Sequence, residues 1–191
     1  MDEKKKNRLT WIVYASIFLL FWITGWHKPL ISKLQQGILA TGIIQADLNQ
    51  EHSKNLVDAV LYNEEGQKIR LSEFRNEVVF FNIWATWCPP CRAEMPGIQS
   101  LYESAEMEGV NFVMLSTDEN FEKAKKYKKD NDFTFPIYRL GGEMSEELNS
   151  SSLPTTFIIG KQGNIEVTQK GMAKYNTAKF RNFLKELVVK D

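Results

Sequence analysis

Two cysteines stand in this 191-residue chain, and Trp87-Cys88-Pro89-Pro90-Cys91 spaces them as C-x-x-C. A dithiol at that spacing suits thiol–disulfide exchange, in which a thiolate is the attacking species. The flanking segments favour a thiolate. Residues 78–85 (VVFFNIWA) form a β-branched and aromatic block that reads as a buried strand, and residues 92–108 read as a helix. The pair thus falls at a strand-to-helix junction, where free backbone N–H groups and the helix dipole stabilise negative charge.

Three blander readings compete. An inert structural bridge is disfavoured because so short a loop constrains the unfolded chain little. Half of a zinc site would need further ligands, and the chain offers only His27 and His52, neither at ligand spacing. Two buried, unreactive thiols fit poorly with the flanking prolines and the helix start.

The elements that must position the pair occupy the rest of the chain. Lys and Arg together number 24, as do Asp and Glu, so net charge gives no case for nucleic acid. The charge is uneven, however. A basic cluster, Lys4-Lys5-Lys6-Asn7-Arg8, precedes an uncharged apolar run from residue 9 to residue 26. As a helix that run would reach about 27 Å, close to the hydrocarbon thickness of a bilayer. Trp11 lies near one end, with Trp22 and Trp26 near the other, as interfacial aromatics do. We read 1–8 as a cytoplasmic N-terminus and 9–26 as a single-pass transmembrane signal anchor, with the remainder exported. A cleaved signal peptide would need a small-x-small site, which Ile23-Thr24-Gly25-Trp26-His27-Lys28-Pro29 does not offer. Outside the cytoplasm disulfides persist, so a lone C-x-x-C there can cycle if something keeps it poised.

Residues 27–55 read as a juxtamembrane linker, part of it helical. Leu30, Ile31, Leu34, Ile38 and Leu39 recur at helical spacing, so a short amphipathic helix is expected beside the membrane or on the domain. Gly37, Gly42 and the polar stretch from Asn49 to Ser53 end it. From residue 56 to residue 191 the pattern is α/β, with room for one domain. Strands are expected at 56–61 and 67–71, a helical turn at 71–74, the buried strand at 78–85 and the cysteine-bearing helix closed by Gly109. There follow a strand at 110–116, a helix capped by Asp118 and running to Asp130, and a short extended segment at 135–138. A hairpin of 153–159 with 164–169 and a helix at 175–189 complete the chain. That order specifies a thioredoxin-type sheet, its parallel strands first and antiparallel strands last.

Residues 78–96 (VVFFNIWATWCPPCRAEMP), Val113-Met114-Leu115-Ser116 and residues 153–159 (LPTTFII) closely resemble the TlpA/ResA-like branch of the thioredoxin superfamily. These are membrane-anchored, extracytoplasmic bacterial thiol–disulfide oxidoreductases, and the resemblance covers residues 56–189. It implies a thioredoxin-like α/β fold, a central mixed sheet flanked by helices, behind the N-terminal transmembrane helix. It implies Cys88 as the exposed nucleophile and Cys91 as the resolving thiol. Pro154 matches the cis-proline that faces the dithiol, turning the backbone of Leu153 toward an extended substrate. Trp87 and Pro89 are expected to join a substrate-facing apolar patch, and Trp84 to lie in the core. Glu94 matches a functional glutamate of the ResA-like proteins. Three residues after Cys91, it shares a helix flank with Cys91, Ile98 and Leu101, so partial burial and a raised pKa are expected. A solvated helix glutamate is the alternative. Asn82 stands where thioredoxin itself has a buried aspartate, and an amide cannot do acid–base work.

Pro89 and Pro90 lack N–H groups, which leaves Cys91 N–H among the donors for a Cys88 thiolate. The Cys88 pKa is therefore expected nearer about 7 than about 3.5, and the dithiol to be a good reductant. Pro96 reads as a packing kink in the helix. The expected activity is reduction of disulfides in exported client proteins, c-type cytochrome apoproteins among them, at the bacterial cytoplasmic membrane. No cofactor is implied, but a transmembrane electron donor is. Two alternatives stand against it. A peroxide reductase on the same fold would need Pro-x-x-x-Thr-x-x-Cys, which Thr86-Trp87-Cys88 does not supply. A dithiol metal-delivery module is disfavoured by the two-residue spacing and the lack of a downstream histidine.

Overall fold

The computed structural model describes residues 3–24, 27–48, 55–104 and 107–190. Its centre is β3, Val78–Trp84, buried at all seven positions, as an unbroken apolar run demands of a strand covered on both faces. Alternation along it sends Val78, Phe80 and Trp84 into one core and Val79, Phe81 and Ile83 into another. β3 pairs in parallel with β4, Val110–Ser116, and β4 pairs in parallel with β5, Ile137–Met144. On its other side β3 pairs antiparallel with β6, Thr155–Ile159, which pairs antiparallel with β7, Ile165–Lys170. With β1, Ala59–Tyr62, and β2, Lys68–Arg70, the sheet order is β2-β1-β5-β4-β3-β6-β7. This is the mixed thioredoxin-like sheet, and it differs from expectation in one respect. The sheet's first two strands, β1 and β2, form an antiparallel hairpin, and β1 also runs antiparallel to β5 at the far side of the parallel strands.

The first core is closed by α3, Pro89–Tyr102, and α5, Ala178–Val189. Cys91, Met95, Ile98 and Leu101 come from α3, and Phe180 and Leu184 from α5. α4, Phe121–Asp130, adds Ala124. α3 ends well short of Gly109, whose left-handed φ of 84° instead leads the chain into β4. Pro96 lies inside α3 on its exposed side, where its missing N–H costs no core contact. Asp118 does not cap α4. Asn120 does, accepting from Glu122 N at 3.0 Å.

Two helices precede the sheet. α1, Glu3–Ile23, takes in the whole basic cluster and stops at Ile23, so its uncharged part is residues 9–23. Among the described residues no helix is long and apolar enough to cross a membrane. Trp26, expected at the far interface, and the linker stretch from Asn49 to Ser53 lie outside the described residues. α2, His27–Ala40, packs against α3.

Candidate active site

Cys88 is the N-cap of α3, with extended backbone at φ −90° and ψ 107°. Pro89 and Pro90 follow as the first residues of the helix, where a fixed φ is helical already and a missing N–H breaks no helical bond. Cys88 and Cys91 are joined in a disulfide with S–S 2.03 Å and Cα–Cα 5.3 Å. Cys91 N donates to Cys88 Sγ at 3.2 Å, the contact that remains once both prolines have removed theirs. One expectation is corrected here. Cys88 is only 4% exposed in this oxidised form, its sulfur bonded to the fully buried Cys91. Trp87 beside it is 55% exposed, and Pro89 is half-buried. Trp84 is core, its ring centroid 5.9 Å from that of Tyr127.

The sheet register brings the proline loop to the same end. Thr155 pairs with Ile83, so Leu153 and Pro154 flank the strand end from which the cysteine loop departs. The Leu153–Pro154 peptide is cis, with Pro154 buried and Leu153 half-buried.

Beneath the dithiol lies a buried polar chain. Glu94 is 2% exposed, one turn after Cys91 on the same flank of α3. Its Oε1 accepts from Asn82 Nδ2 at 2.9 Å and its Oε2 from Ala173 N at 3.3 Å. Burial strips its carboxylate of water and outweighs both bonds, so its pKa is raised to about 8. Asn82, fully buried on β3, spends its second N–H on Thr156 Oγ1 at 2.8 Å. Thr156 Oγ1 also accepts from the Tyr175 hydroxyl at 2.7 Å. Burial, and then the nearby Glu94 charge, push the Tyr175 phenol well above its usual range. At neutral pH the chain Tyr175–Thr156–Asn82–Glu94 therefore holds a protonated carboxyl three residues from Cys91. Thr156 lies within the LPTT run, but no sequence pattern marked Tyr175, which read as the start of a helix.

Asp118 is the other residue missed. It is 9% exposed and accepts from Thr86 N at 2.9 Å, Thr86 Oγ1 at 2.6 Å and Ser116 Oγ at 2.9 Å. The carboxylate thereby ties the loop directly before Trp87-Cys88 to the end of β4. An acid two residues before an N-cap gives no sequence sign of that reach. Behind α3, a cavity of about 190 Å³ separates it from α2, lined among others by Gln36, Leu39, Glu94, Pro96, Ala173 and Lys174.

This geometry has relatives. The AhpC/TSA family matches residues 53–168. The thiol-disulfide oxidoreductase ResA of Bacillus cereus is 33% identical over 168 residues, covering 87% of this chain and 90% of that protein. ResA of Oceanobacillus iheyensis is 29% identical over 173 residues, covering 89% and 85%. Among solved structures, StoA from Bacillus subtilis superposes with a TM-score of 0.55 at 28% identity, over 68% of this chain and 95% of that one. A thioredoxin-family thiol:disulfide interchange protein from Chlorobium tepidum shares the fold, with a TM-score of 0.58 at 21% identity. A disulfide-bonded C-x-x-C pair at a helix start, a cis-proline beside it and relatives of this similarity lead to one assignment: the chain belongs to the AhpC/TSA family, among its ResA-type thiol–disulfide oxidoreductases.

Proposed function

We propose that the chain reduces disulfides of exported client proteins at the outer face of the cytoplasmic membrane, with c-type cytochrome apoproteins a candidate client. The observation that carries this is the Cys88–Cys91 pair at the N-terminus of α3, flanked by the exposed Trp87. In the reduced protein the Cys88 thiolate attacks one sulfur of a client disulfide. A Cys88–client bond forms, and the other client sulfur leaves as thiolate and takes a proton. Cys91 then loses its proton, attacks Cys88 Sγ and expels the second client sulfur. Two electrons pass to the client, and the Cys88–Cys91 disulfide is restored. Glu94 in its ionised fraction, which grows as pH nears 8, is the group assigned to take the Cys91 proton, and Leu153, Trp87 and Pro89 are the assigned client contacts.

The reducing direction is supported by Pro89 and Pro90. With two donors absent, the Cys88 thiolate is less stabilised, so the dithiol gives up its electrons more readily. Re-reduction requires a transmembrane electron donor. Membrane attachment is assigned to α1, on which Trp11, Ile12, Phe18, Leu20 and Trp22 are each more than half exposed. Its 15 uncharged residues span about 22 Å, a mismatch that local thinning of the bilayer accommodates. The basic cluster before them supports a cytoplasmic N-terminus.

The test is stoichiometric. Reduced full-length protein mixed with a disulfide-bearing apocytochrome peptide should yield one peptide dithiol per Cys88–Cys91 disulfide formed. A Cys88→Ser variant should yield none. Equal loss of peptide disulfide with the variant would refute the assignment.

A further inference from the structure

α2 turns its apolar side away from its own domain. Among its described side chains it buries Ser32, 4% exposed, and Leu39, 6% exposed, while Gln36 donates Nε2 to the Arg92 carbonyl at 3.5 Å. The leucine and isoleucine side chains it exposes are Leu30 at 53%, Ile31 at 38%, Leu34 at 64% and Ile38 at 47%. At about 100° per residue, those four fall within an arc of about 100°. Leu39, Ser32 and Gln36 fall on an arc centred about 160° from it. A helix held only by its domain would bury the leucine and isoleucine arc and leave serine and glutamine in water. This one is rotated the other way, and Ile43, just beyond its end, is 82% exposed as well.

The chain itself says what meets that arc. Three residues, 24–26, separate the end of α1 from the start of α2. Four peptide steps reach at most about 14 Å. With α1 in a bilayer, α2 must begin within the headgroup layer. Helices that lie in that layer sink an apolar arc to the acyl boundary and keep their polar residues outward. Lys33, exposed about 60° from Leu30, sits where its stem follows the arc and its charge meets anionic headgroups.

We propose that α2 is an interfacial helix with two partners: its apolar arc lies on the lipid surface, and its opposite face clamps α3. This rests on the reading of α1 as the membrane anchor. The domain is then seated on the bilayer rather than tethered at the end of a loose linker. The seat passes through the helix that carries Cys91 and Glu94, since α2 closes the outer wall of the cavity beside Glu94.

The experiment uses the full chain in vesicles of phosphatidylethanolamine and phosphatidylglycerol, with Cys88–Cys91 oxidised so that an added cysteine is the lone thiol. Spin labels go on Leu34→Cys, Ile38→Cys, Lys33→Cys and, on α1, Ile17→Cys. Each label's collision rate with oxygen, which enters lipid, is compared with that of a water-soluble nickel chelate. Labels at 34 and 38 should favour oxygen several-fold more than the label at 33. Chelate access at 34 and 38 equal to that at 33 would overturn the proposal. So would shielding from both agents, which would reveal a protein partner or a second copy. If 17 reports lipid and 34 and 38 do not, only this inference fails. If 17 reports water, the anchor reading falls and takes the inference with it.

Discussion

Asn82 and Glu94 are joined by a 2.9 Å hydrogen bond between two buried side chains, one on the central strand and one on the helix that carries the dithiol. The amide can donate to the carboxyl but cannot exchange protons with it. Glu94 is thus the titrating member of the pair, and its properties can be read from pH.

Glu94 retains its proton to about pH 8 in the fold, against 4.5 for an ordinary glutamate. Between those values the folded chain binds more protons than the unfolded one, so stability falls as pH rises. The stability is fully present below about pH 4.5 and lost on passing through pH 8. Denaturation midpoints of the oxidised protein and of Glu94→Gln, compared at pH 5 and pH 8.5, should diverge. The native chain should weaken by a few kcal/mol relative to the variant at the higher pH. Parallel curves would mean an ionised Glu94.

Tyr175→Phe removes one donor from Thr156 Oγ1 and leaves the Asn82 donor in place. The expected cost is about 1 kcal/mol in denaturant unfolding. Thr156→Val removes the acceptor shared by Tyr175 and Asn82, stranding two buried donors, and should cost about 2–3 kcal/mol. A smaller loss for Thr156→Val than for Tyr175→Phe would contradict the chain of bonds.

Asp118→Ala should leave Thr86 N without its acceptor and free the loop before Cys88. We expect a loss of about 2–3 kcal/mol, together with slower exchange between the reduced protein and a model disulfide. An unchanged exchange rate would show that the tie serves stability alone.

Cys91→Ser should accumulate a Cys88–client mixed disulfide, detected as an adduct by mass spectrometry, because no resolving thiol remains. Cys88→Ser should form none, since Cys91 is fully buried behind it.

Much of this arrangement was legible in the residues. The apolar run 78–85 marked the central strand, and the helical pattern after it marked the junction that holds the cysteines, though α3 starts three residues earlier than Arg92. The family resemblance carried by the LPTT run marked the cis peptide. Glu94 was legible because helical spacing ties it to Cys91. What escaped depends on contacts distant in sequence. Asp118 looked like a cap, being an acid near a helix start, yet its partner Thr86 is 32 residues away. Tyr175 reaches Thr156 across 19 residues, and an aromatic near a helix start carries no sign of that bond. The exposure of Cys88 was misjudged for a different reason, as a helix-start position says nothing of the tertiary neighbours that cover the sulfur. α2 was visible as a periodic pattern, but periodicity does not say which face a helix turns to its domain.

The most direct test of the reductase reading is the reduction potential of the Cys88–Cys91 couple. It can be measured by equilibrating the full chain in detergent with dithiothreitol or glutathione buffers and counting free thiols. The loss of both proline N–H donors leads us to expect a value near thioredoxin's, about −270 mV. A value near about −120 mV would instead make the protein a disulfide donor and contradict the account.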